Sequence, residues 1–458
     1  MRPVAFYELL PLVSSIAGSQ EIFFRGAAVD SRLCEAGQLF VALPGERTDG
    51  HLFVPELIEK GVSAFLVSSA YANENRERIN RWVEEDRASF LIADDTLTVL
   101  QKAAAWYLEQ LPQVQRVGIT GSSGKTTTKE LIASVLRRKY RISYTQGNLN
   151  SEIGLPLVAF SVDPDDEIAV FEMGINHPGE MGILAEIVKP QTAVITNIFP
   201  AHAGMFAEID SIAREKMKIF SRAGGHLTAF INCNDCHGRM YRDSYPGNYI
   251  PFGMGVTEGV SVIENRGFGG WLLRIGESDA VTPLFGRYNL ENICAATAVG
   301  RAFGLTDEEI ADGVEAVESA GFARGCIRPG RITVVEDCYN ANPGSVAAAI
   351  ELFRETEVEG RKIFVAGAMK ELGVHSQRLH AELGRTLAAA AFDRVLFYGD
   401  EAAAAFDSYC ESGGSNGFFS VDIEELKKDL KQNAVSGDWV FLKGSRSLQL
   451  ERLASVFE

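Results

Sequence analysis

The sequence has no hydrophobic run long enough to cross a membrane as a helix. No stretch of this 458-residue chain approaches the ~18 consecutive apolar residues of a transmembrane helix. Its first segment, MRPVAFYELLPLVSSIAGSQ, lacks the continuous apolar core and the small-residue cleavage site of a secretory signal. We therefore expect a protein without a membrane span that works in the cytoplasm.

Cysteine is sparse, which argues against a fold held together by disulfides. The seven cysteines are odd in number and mostly scattered, as expected for reduced thiols. The exception is Cys233, Cys236 and His237, whose Cys-x-x-Cys-His spacing matches a c-type haem attachment site. Haem attachment requires export, and no second cysteine pair follows at zinc-finger spacing. We interpret the match as coincidental.

Positive charge is in deficit, with 44 Lys and Arg against 61 Asp and Glu and a formal net charge of −17. Such a chain is not expected to bind nucleic acid or an anionic membrane surface non-specifically. An anionic small-molecule substrate stays compatible, because basic side chains can be concentrated in one cleft. The length fits roughly three globular domains.

Alternation of strand-like and helix-like segments divides the chain into three parts. Residues 1–92 mix short strands with turns and predict a small α/β domain. Residues 93–322 contain the strand candidates QRVGIT, EIAVFEMG, TAVITNI and LTAFIN between helices, as a parallel sheet requires. Residues 323–458 repeat this alternation with RITVVED, RKIFVAGAM, DRVLFYGD and DWVFLKG. The prediction is an α/β protein with a central parallel-sheet domain and a Rossmann-like C-terminal domain. The irregular region 233–286 is expected to add strands to the central domain.

The segment VGITGSSGKTTTKE predicts a phosphate-binding loop between a strand and a helix. In such loops backbone N–H groups cradle an anion, a lysine neutralises the β- and γ-phosphates, and the next hydroxyl ligates Mg²⁺. Lys125 and Thr126 take these two places, although Ile119 stands where the strict motif has glycine. We predict an ATP site made of Gly121, Ser122, Ser123, Gly124, Lys125, Thr126 and Thr127.

Two more polar residues follow neighbouring predicted strands. Glu172 ends the strand EIAVFE, and His202 lies in the loop after TAVITNI. Ligands bind at the carboxyl ends of the strands in open α/β sheets. A lone strand-end carboxylate or histidine is usually structural, but two beside a phosphate loop favour a divalent-metal site. On the residues alone both interpretations stay open.

Six segments, in order along the chain, resemble the Mur ligases, the cytoplasmic enzymes that build the peptidoglycan stem peptide. They are GITGSSGKTTTKE, FEMGINHPGE, NIFPAHAGMF, GRYNLENICAA, EDCYNANPGS and FLKGSRS. The stretches NLNSEIGLPL, DCYNANPGS and GAMKELGVHSQRLHAELG resemble the branch that joins D-alanyl-D-alanine to UDP-N-acetylmuramoyl-tripeptide. The N-terminal VDSR and LPGERTDGH resemble a uridine-binding domain. The resemblance implies an ATP-driven ligase that forms an acyl phosphate, and we expect a monomer. Whether the third residue of the tripeptide is lysine or diaminopimelate stays open.

The resemblance also implies roles that spacing alone does not give. Lys125 would be catalytic, His202 would bind a second Mg²⁺, and Lys216 would carry a carbamate formed with CO₂. The implied metal ligands are Thr126, Glu172, His202 and Lys216. The implied adenosine contacts are Asn289, Asn292, Arg331, Asp337, Tyr339 and Asn340. The implied contacts to the nucleotide sugar, the peptide or the incoming dipeptide are Ser31, Arg32, Asn148, Asn150, Asn342, Ser445 and Arg446.

The chain departs from the family pattern at Ser151, Tyr288, Glu336 and Ala368, and Ala368 leaves the shape of the expected dipeptide pocket open. The alternatives are a sibling ligase that adds a diamino acid, a folate-polyglutamate or cyanophycin synthetase, a P-loop NTPase that acts as a switch, and an inactive nucleotide-sugar binding protein. The Asp-Asn-Pro-Arg stretch of the sibling is absent. The intact lysine, threonine, glutamate and histidine set disfavours an inactive protein.

Overall fold

The computed structural model describes most of the chain as three α/β units, each with its own sheet, which confirms the predicted fold class. The described residues are 2–45, 48–199, 209–221, 227–238, 240–241, 245, 247–317, 326–338 and 340–457. The predicted site residues His202 and Tyr339 lie outside these ranges. Among the described residues, no helix combines the length and apolarity needed to cross a lipid bilayer.

The N-terminal unit has a five-stranded sheet and a two-stranded ribbon. Its strands are β1 (Val4–Ala5), β2 (Ser15–Ala17), β3 (Phe23–Phe24), β4 (Ala27–Ala28), β5 (Leu39–Val41), β6 (Ala64–Ser68) and β7 (Ser89–Ala93). Its helices are α1 (Val54–Glu59), α2 (Ser69–Glu74) and α3 (Arg76–Glu84). The sheet order is β2-β7-β6-β5-β4, with only β2 antiparallel. Phe40, Phe65 and Phe90 on one face pack against side chains of α1 and α3.

Helix α4 (Thr96–Glu109) joins the N-terminal unit to the central one. Asp95 caps its start by accepting hydrogen bonds from the N–H groups of Leu97 and Thr98. The buried face of α4 packs against both units, so one hydrophobic core runs through them. The Tyr107 hydroxyl, 2.8 Å from the Val162 carbonyl oxygen, donates a hydrogen bond across this core.

The central unit has a six-stranded, fully parallel sheet, which contains all four predicted strands. Its strands are β8 (Gln115–Thr120), β9 (Ile142–Tyr144), β10 (Ile168–Glu172), β11 (Thr192–Ile195), β12 (Thr228–Asn232) and β13 (Tyr249–Phe252). Its helices are α5 (Lys125–Leu136), α6 (Gly154–Ser161), α7 (Glu180–Val188) and α8 (Ile209–Met217). In the order β13-β12-β11-β8-β10-β9, the chain crosses from one side of β8 to the other. Ligands bind in the crevice at such a switch point.

The irregular region 233–286 contains extra strands, as expected. They form a three-stranded antiparallel sheet from β14 (Val260–Asn265), β15 (Trp271–Ile275) and β16 (Ser278–Thr282). Two helices follow, α9 (Arg287–Ala302) and α10 (Asp307–Glu315). The apolar face of this small sheet shares a core with α5, α9 and α10 on one side of the central sheet.

The C-terminal unit has a six-stranded sheet. Its strands are β17 (Cys326–Arg328), β18 (Thr333–Asp337), β19 (Lys362–Gly367), β20 (Arg394–Tyr398), β21 (Gly417–Ser420) and β22 (Trp439–Lys443). Their order is β17-β18-β22-β19-β20-β21, and all neighbours are parallel except the pair β17 and β18. Its helices are α11 (Pro343–Glu355), α12 (Ser376–Ala390), α13 (Ala403–Glu411) and α14 (Ile423–Asn433). Because β18, β22 and β19 are neighbours, the segments that follow them meet at one edge of the sheet.

Short 3₁₀ helices complete the described secondary structure. They are Phe6–Leu12, Gly50–Phe53, Lys218–Phe220, Gly267–Gly269, Gly373–His375, Asp400–Ala402, Arg446–Leu448 and Leu450–Val456.

Candidate active site

The phosphate loop connects β8 to α5, at the switch point of the central sheet. Gly124 begins the helix with φ of 78°, a left-handed conformation that favours glycine. A Cβ atom on Gly124 would lie 2.7 Å from the side-chain oxygen of Asn292, and one on Gly121 would overlap the Thr196 hydroxyl. The loop therefore needs glycine at both places to pack this closely against its neighbours.

The segment after β11 supports the phosphate loop from behind. The Thr196 hydroxyl donates a hydrogen bond to the Ser123 carbonyl oxygen at 2.6 Å. The N–H groups of Ser122 and Ser123 donate to the backbone and side-chain oxygens of Asn197, at 2.8 and 2.9 Å. Thr196 and Asn197 were not predicted as site residues, although they lie within the predicted strand TAVITNI that leads to His202.

Two lysines, Lys125 and Lys216, meet at the base of the loop. Their Nζ atoms lie 2.8 and 3.0 Å from the same carbonyl oxygen, that of Gly121. Lys216 is buried, with 2% of its surface exposed. Burial, and then the nearby charge of Lys125, hold the pKa of Lys216 well below its ordinary value, although Glu215 opposes the shift. The fold thus favours a neutral, nucleophilic amine at Lys216 beside the phosphate loop.

Glu172 lies at the end of β10 and faces the same loop. Its Oε1 atom accepts hydrogen bonds from the Thr126 hydroxyl at 3.2 Å and from the Asn150 side-chain amide at 2.7 Å. The side chain is buried, and its Oε2 atom has no hydrogen-bond partner among the described residues. Asn150, which is predicted to contact the nucleotide sugar, donates in this structure to the predicted metal-binding carboxylate of Glu172.

Asn289 and Asn292 form a buried hydrogen-bonded chain between α9 and α5. The Thr128 hydroxyl donates to Asn292 Oδ1 at 3.1 Å, and Asn292 Nδ2 donates to Asn289 Oδ1 at 3.0 Å. Asn289 Nδ2 in turn donates to the Phe285 carbonyl oxygen at 2.7 Å. The two asparagines brace the helix that carries the phosphate loop, and their contact with adenosine stays a prediction.

The C-terminal unit contributes a buried ion pair at the carboxyl edge of its sheet. Lys443 Nζ lies 2.9 Å from Asp337 Oδ2 and 2.9 Å from the carbonyl oxygen of Asn340. Asp337 Oδ1 has no hydrogen-bond partner among the residues that the structure describes. Asp337 and Asn340 were predicted as site residues, whereas Lys443 was not, because the sequence shows there only a lysine at the end of a buried strand. Arg331 is exposed, and its carbonyl oxygen accepts a hydrogen bond from Gly437 N–H.

The predicted nucleotide-sugar contacts in the first two units are accessible. Ser31 is half-buried, whereas Arg32 and Asn148 are exposed. Arg32 Nε donates to Asp30 Oδ1 at 2.9 Å, and this hydrogen bond is the main reason that the pKa of Asp30 falls to about 2. Asp30 therefore holds the Arg32 side chain without burying it.

Three predicted substrate contacts in the C-terminal unit have structural partners. Asn342 is the N-cap of α11, and its Oδ1 atom accepts a hydrogen bond from Ser345 N–H at 2.8 Å. The buried Ser445 hydroxyl accepts one from Lys370 N–H at 2.9 Å. Arg446 is exposed and lies 2.8 Å from Glu451 Oε1. Of these three, only Arg446 has a largely free surface.

Ala368 lies in the packed interior rather than on the edge of the sheet. Its surface is fully buried. A Cβ atom on Gly399 would lie 3.2 Å from the Ala368 methyl group, so the two residues are in close contact. Ala368 therefore fills space between β19 and the segment that contains Gly399, and its effect on the predicted dipeptide pocket stays open.

The Cys-x-x-Cys-His motif lies in the loop after β12. Cys233 and Cys236 are exposed, and Cys236 Sγ lies 3.2 Å from His237 Nδ1. Asp235 between them accepts a hydrogen bond from Ile198 N–H at 2.9 Å, which ties this loop to the segment after β11. Asp235, Cys236 and His237 bring their ligand atoms within 4.8 Å of one another, and burial raises the pKa of the Cys236 thiol.

Comparison with known proteins gives similarity along almost the full chain. The chain is 36% identical over 434 residues to a UDP-N-acetylmuramoyl-tripeptide--D-alanyl-D-alanine ligase of Treponema pallidum, covering 94% of this chain and 93% of that protein. A crystal structure of MurF from Acinetobacter baumannii superimposes with a TM-score of 0.86 at 29% identity, covering 99% and 98% of the two chains. MurF ligase from Thermotoga maritima in complex with ADP gives 0.77 at 28% identity, covering 94% and 97%.

The parallel central sheet, its glycine-rich phosphate loop and the buried lysine and carboxylate beside it define a P-loop nucleotide-binding enzyme. Three family models match the chain: the Mur ligase family, catalytic domain, at 24–107, the Mur ligase middle domain at 119–300, and the Mur ligase, glutamate ligase domain, at 325–446. The chain belongs to the Mur ligase family and is an ATP-dependent ligase.

Proposed function

We propose that the chain joins D-alanyl-D-alanine to the terminal carboxylate of UDP-N-acetylmuramoyl-tripeptide, with ATP consumed, in cytoplasmic synthesis of the peptidoglycan precursor. The observation that carries the proposal is the convergence of Lys125, Lys216 and Glu172 on one phosphate loop. This site lies in a chain that is similar, over nearly its whole length, to a protein named UDP-N-acetylmuramoyl-tripeptide--D-alanyl-D-alanine ligase and to MurF from Acinetobacter baumannii.

The reaction has two steps. A carboxylate oxygen of the tripeptide attacks the γ-phosphorus of ATP, the bond to the β,γ-bridging oxygen breaks, and ADP leaves an acyl phosphate behind. The amine of the dipeptide then attacks the acyl carbon, a proton leaves the nitrogen, and phosphate departs as the amide forms. Both partners of the first step are anions, so Lys125 would lower the barrier by neutralising the charge that builds up on the phosphates.

Mg²⁺ fits the donors that the central sheet brings together. Thr126 and Glu172 supply hard oxygen atoms within hydrogen-bond distance of each other, and the buried Glu172 Oε2 lacks a hydrogen-bond partner among the described residues. When bound there, the ion would neutralise phosphate charge and polarise the γ-phosphoryl group. His202, outside the described residues, is the proposed ligand of a second ion.

Lys216 is proposed to carry the carbamate. Its neutral amine would attack the carbon of CO₂ and release one proton, which turns the buried amine into an anionic oxygen ligand suited to Mg²⁺. Burial and the lowered pKa of Lys216 support this step, because only the unprotonated amine reacts.

The nucleotide is proposed to bind between two units. The phosphates contact Gly121 to Thr127, while the adenosine lies near Asn289 and Asn292. Arg331, Asp337, Tyr339 and Asn340 of the C-terminal unit would complete the adenosine site. Closure of the cleft would exclude water from the acyl phosphate.

The other substrates are proposed to approach from opposite sides of the nucleotide. Ser31, Arg32, Asn148 and Asn150 would contact the nucleotide sugar, and Asn342, Ser445 and Arg446 the peptide or dipeptide. The proposed domain limits are 1–92, 93–322 and 323–458, and the proposed functional state is a monomer.

Phosphate release with defined acceptors tests the function. The full chain, ATP and Mg²⁺ should release phosphate in step with amide formation when both UDP-N-acetylmuramoyl-tripeptide and D-alanyl-D-alanine are present. Little phosphate should appear when either substrate is omitted or when single amino acids replace the dipeptide. Rapid hydrolysis without acceptors would favour a switch-type NTPase, and activity with a diamino acid on the dipeptide nucleotide would favour the sibling ligase.

A further inference from the structure

The segment after β19, residues 368–370, is held by an unusual set of backbone contacts. The N–H of Ala368 donates to the Tyr398 carbonyl oxygen at 2.9 Å, and that of Lys370 donates to Ser445 Oγ at 2.9 Å. Between them, the Met369 N–H donates to Nε2 of His380 at 3.0 Å. Three successive N–H groups thus reach three different elements, and only the middle one is accepted by a titratable side chain.

The surroundings of His380 fix the state of its ring. His380 lies on α12 with none of its surface exposed. Its Nδ1 atom is 2.8 Å from the Ser376 carbonyl oxygen, which can only accept, so Nδ1 carries the hydrogen. Nε2 is then left with its lone pair for the Met369 N–H. A protonated ring would put a second donor against that N–H and break the contact.

The segment that His380 holds is joined to the predicted dipeptide site. The Ser445 hydroxyl accepts from Lys370 N–H, and Ser445 N–H approaches the Ala368 carbonyl oxygen at 3.4 Å. The Lys370 side chain extends to Glu401, with Nζ 2.7 and 2.6 Å from its two carboxylate oxygens. A shift of residues 368–370 would therefore move Ser445, and with it the neighbouring Arg446, at the carboxyl edge of the sheet.

We propose that His380 is a positioning residue for the incoming dipeptide, which holds residues 368–370 and Ser445 in the arrangement that binds it. This inference rests on the proposed function, because it assigns the C-terminal edge to that substrate. His380 itself does not touch the dipeptide. Its loss should raise the KM for D-alanyl-D-alanine and leave the KM values for ATP and for the tripeptide nucleotide unchanged.

Two substitutions at this position separate hydrogen bonding from packing. His380→Leu fills the space but cannot accept from Met369 N–H, so we expect the KM for D-alanyl-D-alanine to rise about tenfold. His380→Gln can place its Oε1 atom near the position of Nε2, and its dipeptide KM should stay within about threefold of wild type. Steady-state kinetics with each substrate varied in turn gives all three KM values for each variant.

The pH profile provides a readout that does not depend on a foldable leucine variant. Burial lowers the pKa of His380, while Glu401 and Lys370, the charged groups that act on it from neighbouring elements, act in opposite directions. Contact with Met369 should therefore persist at neutral pH and fail in acid. The ratio of the wild-type dipeptide KM to that of His380→Gln should rise in acid, because only the wild-type side chain can lose the contact by protonation. Protonation of the dipeptide amine cancels in this ratio.

The outcomes are distinct. A selective rise in the dipeptide KM for His380→Leu, or an acid rise in the wild-type to His380→Gln ratio, supports the positioning role. Equal changes in all three KM values together with a ratio that is flat with pH would overturn it while leaving the ligase activity intact. A wild-type enzyme that forms no amide with D-alanyl-D-alanine would overturn the proposed function as well.

Discussion

At the scale of single residues, the candidate site contains buried charged groups that either have a shifted pKa or lack, within the described part of the chain, a hydrogen-bond partner for one oxygen atom. Glu172, Lys216 and Asp337 are all buried, the first two beside the phosphate loop and the third at the carboxyl edge of the C-terminal sheet. Glu172 and Asp337 each keep one oxygen without a hydrogen-bond partner among the described residues. Unpaired polar atoms in such surroundings raise the free energy of the protein unless a ligand satisfies them.

Replacing Glu172 tests the proposed metal site. Glu172→Gln keeps an oxygen for Thr126 and Asn150 but removes the charge that would hold Mg²⁺. We expect kcat to fall about 10²-fold or more and the Mg²⁺ concentration needed for half-maximal activity to rise. Glu84→Gln, at an exposed position on α3, is the matched control and should leave both values unchanged. Wild-type Mg²⁺ dependence in Glu172→Gln would refute the assignment.

Replacing Lys216 tests the proposed carbamate. Lys216→Ala should lose most activity, about 10²-fold, and regain part of it when a short carboxylic acid supplies an oxygen ligand in the vacated space. Lys218→Ala, which removes a half-exposed lysine from the neighbouring turn, should need no such supplement. Full activity of Lys216→Ala without added acid would show that no carbamate is required.

The lowered pKa of Lys216 also predicts how stability depends on pH. The unfolded chain binds a proton at this lysine below its ordinary pKa of 10.5, whereas the folded chain releases it at a lower pH. In the window between the two values the unfolded state holds more protons, so the free energy of unfolding rises with pH. Urea denaturation at pH 7.5 and 9.5, without CO₂ or nucleotide, should show a smaller rise for Lys216→Met than for wild type. Identical pH slopes would contradict the shift.

Side-chain contacts between residues far apart in the sequence are the part of the site that could not be predicted from the sequence. The phosphate loop could be predicted because its residues are consecutive. The hydrogen bond from Asn150 to Glu172 and the ion pair of Lys443 with Asp337 join residues 22 and 106 positions apart. Neither pair leaves a local pattern in the sequence, so the contact of Asn150 with Glu172 was not predicted and Lys443 was missed.

At the scale of elements, the phosphate loop is held by close packing against the segment after β11. A Cβ atom on Gly121 would overlap the Thr196 hydroxyl, so Gly121→Ala should displace the loop and raise the KM for ATP at least about tenfold. Gly182→Ala, in α7, is the control, because a Cβ there meets no atom within 4 Å. The control should leave the KM unchanged and preserve or slightly raise stability. Equal KM values in both variants would refute the packing argument.

Substitutions at Asn342, the N-cap of α11, distinguish a structural role of this residue from a contact with substrate. Asn342→Ala removes the cap, and we expect the free energy of unfolding to fall by about 1 kcal/mol. Asn342→Ser retains a capping hydroxyl and should restore most of that loss. Chemical denaturation gives the stability, and kinetics with varied dipeptide gives the KM. Unchanged stability with a raised KM in both variants would mean that the residue serves the substrate rather than the helix.

Element length decides how well the sequence predicts this fold. The buried strands of the two parallel sheets are apolar runs between helices, and their predicted positions are confirmed. The helices α1 and α2, each six residues long, were not predicted because too few turns exist to show a helical period. The edge strand β21 was missed because its four residues are too few to show an alternating pattern, whereas β13 falls in the region 233–286, where extra strands were expected.

At the scale of the whole molecule, the N-terminal and central units share a hydrophobic core, whereas the C-terminal unit is attached differently. Phe268, from the turn between β14 and β15, stacks on Trp439 of β22 at 5.2 Å between ring centroids, with 12° between the planes. Phe268 and Phe285 join the core of the C-terminal unit. The phosphate loop and the Asp337–Lys443 pair therefore belong to two units that meet through this aromatic contact, through Arg287 Nε at 3.7 Å from Glu355 Oε2, and through Phe199 beside Gly344.

The central claim is that this molecule activates a carboxylate by phosphorylation before an amine captures it. Its most direct test uses UDP-N-acetylmuramoyl-tripeptide labelled with oxygen-18 in the terminal carboxylate, with ATP and D-alanyl-D-alanine. The account predicts that each amide formed transfers one labelled oxygen to the released phosphate, which mass spectrometry of the phosphate detects. Amide formation with unlabelled phosphate would contradict the account.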